Sequence, residues 1–90
     1  MLLDICKIDN KEFKVGDSFE IDANASADAT ITDHEFSRLK KLTHRIKEIN
    51  KTNSGTLWIY SGHHSFSGQR VYIGANSILI NNDWDGNYNE

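Results

Sequence analysis

Proline is absent from this sequence, and cysteine occurs once, at position 6. With no second cysteine, no disulfide can form within the chain, so the cross-linked framework that staples most small secreted domains is excluded. With no proline, the ends of elements must be marked by glycine, asparagine or capping residues. Long apolar runs are missing too: nothing approaches the roughly 20 residues that a bilayer-spanning helix needs. The opening residues, Met1-Leu2-Leu3-Asp4-Ile5, carry no basic segment, and Asp4 breaks the apolar run. No secretory signal is therefore expected, and the cytoplasm is the expected compartment.

Catalytic motifs are also lacking. There is no Gly-x-Ser-x-Gly elbow and no phosphate-binding glycine loop. Cys6 lies in an apolar segment with no histidine nearby in sequence, the setting of a buried structural thiol. An enzyme is not expected, and neither a catalytic residue nor a cofactor is assigned.

What is present suits one folded domain over residues 1–90, with residues 82–90 as a fraying tail. Hydrophobic residues make up 38% and charged residues 26% of the 90, a globular rather than a disordered balance. Nine aromatics (four Phe, three Tyr, two Trp) suffice for a small core. Isoleucine, asparagine and lysine are abundant, a bias of AT-rich codons that fits a bacterial or phage source.

Short period-two segments at residues 2–8, 11–15 and 18–22 predict strands, separated by the turn signals Asp9-Asn10 and Gly16-Asp17. Residues 23–30 are small and polar and predict a loop. Thr32-Asp33-His34-Glu35 then forms a capping box, with Ile31 and Phe36 placed as a hydrophobic staple. Phe36, Leu39, Leu42, Ile46 and Ile49 recur at helical spacing, which predicts an amphipathic helix from Thr32 to about Lys51. On that reading Leu42 is a core residue, and its replacement by alanine costs on the order of 2–5 kcal/mol. Residues 56–61 are apolar on both faces and predict an inner strand. Gly62 to Gly68 predicts a loop holding His63 and His64, followed by strands at 69–73 and 77–81. The expected fold is α+β: a small antiparallel sheet of four to six short strands with one amphipathic helix on one face, in the order β-β-(β)-α-β-β-β.

Charge is unevenly spread. Residues 33–51 hold six basic and three acidic side chains, a net of +3, within a chain whose net charge is −3. On a helix, Arg38, Lys40, Lys41, Arg45, Lys47 and Lys51 would share the face opposite the apolar stripe, with His44 in one of their rows. The first 30 residues hold the acids Asp4, Asp9, Glu12, Asp17, Glu20, Asp22 and Asp28.

These features predict a non-enzymatic protein-binding module of the inhibitor, immunity or phage anti-defence accessory type, monomeric or a small homo-oligomer. The expected partner-binding residues are Arg38, Lys40, Lys41, Arg45, Lys47, His63, His64 and Trp84. A nucleic-acid adaptor using the basic helix face is the alternative, disfavoured by the sequence pI of about 5.7. A small metal-binding protein is a further alternative. Asn81-x-Asp83-x-Asp85-Gly86 matches the opening of a calcium loop, but the bidentate acid is missing and no metal ligand is assigned. No membrane association is expected.

Overall fold

A computed structural model describes residues 1–26 and 31–79. Among them eight short antiparallel strands and one helix form an α+β domain. In chain order these are β1 (Leu2–Leu3), β2 (Ile5–Ile8), β3 (Lys11–Lys14), β4 (Ser18–Glu20), α1 (Asp33–Leu39), β5 (Thr43–Arg45), β6 (Glu48–Lys51), β7 (Leu57–His64) and β8 (Arg70–Gly74). A single 3₁₀ turn, Ala75–Ser77, follows β8.

The α+β class and the antiparallel pairing agree with expectation, but the strands are more numerous and shorter. Asp4 splits the first predicted strand into β1 and β2, which then join different sheets. β2 and β3 form a hairpin whose turn residues, Asp9 and Asn10, have φ of 50° and 70°. Two adjacent positive φ angles match the twist of the flanking strands, and Asp and Asn tolerate them better than bulkier residues do.

The largest departure lies after the helix. Its start is as the sequence predicts: the Thr32 side chain accepts from the Glu35 N–H, and Glu35 accepts from the Thr32 N–H. Its end is not. The helix stops at Leu39, and Lys41 and Leu42 donate to carbonyls three residues back, which tightens the last turn and closes it. The chain then runs extended as β5 and β6. Thr43 in β5 and Ile49 in β6 are β-branched and suit strands better than helices, and pairing with β4 and β7 holds the extended course. β5 pairs with β4, placing His44 opposite Phe19. β6 pairs with β7, placing Ile49 opposite Ile59. Leu42, predicted inside, is 46% exposed, while Ile46, in the link between β5 and β6, and Ile49, in β6, are buried.

Backbone bonds join the three small sheets. Gly16 donates to Ile46 O, Ile46 to Asp17 O, and Lys47 to Tyr60 O. In the sheet β1-β6-β7-β8, Ile49, Ile59 and Ile73 lie in register on the face that meets the core. Phe13, Phe19, Ile21, Phe36 and Ile78 complete that core.

The pairing of β7 with β8 is irregular. β7 advances from Tyr60 to His64 while β8 advances only from Tyr72 to Arg70, so β7 bulges. Gly62 lies inside the bulge with φ +94°, a conformation that side chains rarely adopt. His63 and His64 are thus at the end of a bulged strand, not in the loop the sequence predicts. The tight turn is residues 65–69, where Ser65 donates to Gln69 O and Gly68 to Ser65 O.

Candidate functional site

The bulge, the helix end and the turn converge on a groove of about 290 Å³. Ile31, Leu39 and Val71 supply apolar lining. Arg38 and Leu42 line it from the helix and the turn that follows, and His63, His64 and Phe66 from β7 and its turn. Phe66 is 78% exposed. Two large apolar side chains, Leu42 and Phe66, therefore stand in solvent beside one recess.

Glu35 ties the two sides together. One carboxylate oxygen accepts from the Thr32 N–H, at 2.9 Å, and the other from the Phe66 N–H, at 2.8 Å. These two bonds, the Thr32 one first, hold the carboxyl below the ordinary glutamate range. Glu35 is the acid that lines the groove, and both its oxygens are occupied by backbone donors.

A buried polar unit supports the other side. His44 is 3% exposed, so its ring must find partners inside the protein. Its Nε2 lies 2.9 Å from Leu39 O; a carbonyl only accepts, so Nε2 carries the proton. Nδ1 lies 3.3 Å from the Ser61 hydroxyl oxygen, within hydrogen-bond reach. The ring stacks on Phe19 and meets the edge of His63, with centroids 5.3 and 5.0 Å away. His44 is thus a core histidine, not a member of a cationic row. Ser61 and His44 pair in the manner of a nucleophile and base, but both are buried and neither lines the groove.

Burial, and then the charges of His44, Lys47 and His64, hold His63 below the ordinary histidine value. Lys47 runs along the bulge: a Cβ placed at Gly62 would lie 3.1 Å from its Nζ.

The expected partner-binding residues therefore divide. Arg38, His63 and His64 line one groove, and Lys47 lies beside it. Lys40 and Arg45 are engaged elsewhere. Lys40 donates to Ala23 O and sits over the Phe36 ring, and Arg45 donates to Gly16 O. Lys41 and Lys51 are exposed on different elements. The single basic helix face does not exist, because the helix that would carry it ends at Leu39. Trp84 and the segment 81–86 lie outside the described residues. Among the described residues, no three His, Cys, Asp or Glu side chains group as metal ligands.

Two acids of the first 30 residues have local roles. Asp17 accepts from the Lys14 N–H and Asp22 from the Asn24 N–H, both within turns. On the outer face of the four-stranded sheet, Arg70 stacks over Tyr60 at 4.1 Å and pairs with Glu48 at 3.0 Å. This cluster satisfies its own charges.

Leu42 and Phe66 are the groove residues that sequence reasoning missed. The alternation of His44 and Ile46 around the outward Arg45 was the available signal for a strand there, and with it for an exposed Leu42. No helix among the described residues is long and apolar enough to cross a membrane. Comparisons with protein-family models, curated proteins and solved structures found no match for this chain.

Proposed function

We propose that this chain is a non-enzymatic protein-binding module, of the kind that inhibits or escorts one partner, and that it works in the cytoplasm. The observation that carries this reading is the pair of solvent-exposed apolar side chains, Leu42 and Phe66, beside an apolar groove that also holds Arg38. Exposed apolar groups on a small domain lower its solubility unless they are covered, so such a pair marks a contact surface better than charge does. The groove is small, close to the lower end for a ligand pocket, which suits one anchoring side chain better than a cofactor. The buried Cys6 thiol, pushed up by burial, suits a reducing compartment.

Affinity capture with wild-type protein and a Leu42→Asp/Phe66→Asp variant tests the proposal. Both positions are exposed, so the variant keeps its circular dichroism spectrum. The proposal expects a stoichiometric protein partner with wild type and its loss with the variant. Recovery of nucleic acid alone, released by moderate salt, would contradict it.

A further inference from the structure

We infer that the groove receives a partner segment in which one bulky apolar side chain is flanked by carboxylates; this rests on the protein-binding reading above. Three observations carry it. The lining from Ile31, Leu39 and Val71 is apolar, and Leu42 and Phe66 extend it into solvent, so the central occupant is apolar. The volume, about 290 Å³, admits a side chain rather than a whole element. Cations outnumber anions at the rim, with Arg38 and Lys47 against Glu35. Arg38 lines the groove, Lys47 lies along its bulge, and His63 and His64 add donors. The acid present, Glu35, already accepts two backbone N–H groups.

Charge complementarity thus selects the occupant. An apolar residue carried on a basic segment would place its cations against Arg38 and Lys47. An acidic segment would let the guanidinium fork take a carboxylate while the anchor fills the recess. A second copy of this chain would have to offer the same acid-flanked anchor.

The test is selection of a random peptide library against the purified chain, followed by fluorescence anisotropy with labelled enriched peptides. The expected result is enrichment of a Phe, Trp or Leu flanked by Asp or Glu. Affinity should fall roughly tenfold or more with Arg38→Glu and with Phe66→Asp, as for an anchor residue and its charge partner. It should fall as salt rises and stay unchanged with Lys51→Glu, which lies on β6 away from the groove. Enrichment of basic or uncharged peptides, no enrichment, or a dimer of the chain alone that Phe66→Asp dissolves would each overturn the inference. The broader reading fails separately: a partner captured equally by wild type and the groove variants leaves a binding module with a different site, whereas no protein captured by wild type removes the module itself.

Discussion

At the scale of single residues, position within a strand or turn outweighs hydrophobicity. Leu42 and Ile46 have similar apolar content, yet one is half in water and the other 1% exposed. Leu42→Ala should therefore cost about 1 kcal/mol or less, whereas Ile49→Ala or Ile59→Ala, both fully buried, should cost about 2–5 kcal/mol. Urea denaturation midpoints of the three variants check this ordering. Two titrating residues give pH dependence of the same sign. His63 has a folded pKa below its unfolded value, so the unfolded chain binds the proton more readily. Its effect is absent above about pH 6.5 and becomes destabilising as pH falls below that value. Glu35 is also held low, so its stabilisation is present above about pH 4.3 and is lost as pH falls through the lower folded value. The urea midpoint should decline from about pH 7 to about pH 5, and His63→Gln should remove part of that decline. Glu35→Gln should flatten the more acidic limb instead.

At the scale of elements, short-range chemistry was legible in the sequence and the longer periodicity was not. The capping box needs only Thr32 and Glu35 in fixed order, so its sequence signature transfers to the structure without help from the rest of the chain. The hairpin turn at Asp9-Asn10 is local in the same way. The helix end is not local. Ile46 and Ile49 share the spacing of a helical stripe, but the break between β5 and β6 at residues 46 and 47 lets Ile46 in the link and Ile49 in β6 both face the core. Pairing with β4 and β7 decides the outcome, and no window of the sequence contains those partners. The groove was half legible for the same reason. Arg38, His63 and His64 were identifiable by residue type, but Leu42 was assigned to the core, and Phe66 was not singled out within the loop that holds the two histidines. The bulge yields its own prediction. Gly62→Ala should destabilise by about 1–3 kcal/mol because φ is +94°. Adding Lys47→Ala should not restore the loss, since the lysine chain can move aside and the backbone cannot. Thermal melts of the single and double variants distinguish the two causes.

At the scale of the whole molecule, three small sheets share one core, and neither two-stranded sheet could stand alone. The bonds at Gly16, Ile46 and Lys47 make them one unit, and the groove lies where the helix end meets the bulged edge of that unit. Glu35 serves both the fold and the groove: it caps the helix and anchors the Phe66 turn against it. Glu35→Ala should loosen the turn and lower the thermal midpoint, since both the capping box and the bond to the Phe66 N–H are lost. The measurement that tests the account most directly is a ¹⁵N–¹H chemical-shift titration of the full chain with a selected acidic, apolar peptide. The account predicts that the shifts concentrate at Arg38, Leu42, His63, His64 and Phe66. Shifts confined to the Tyr60, Arg70 and Tyr72 face of the sheet, or none at saturating peptide, would contradict it.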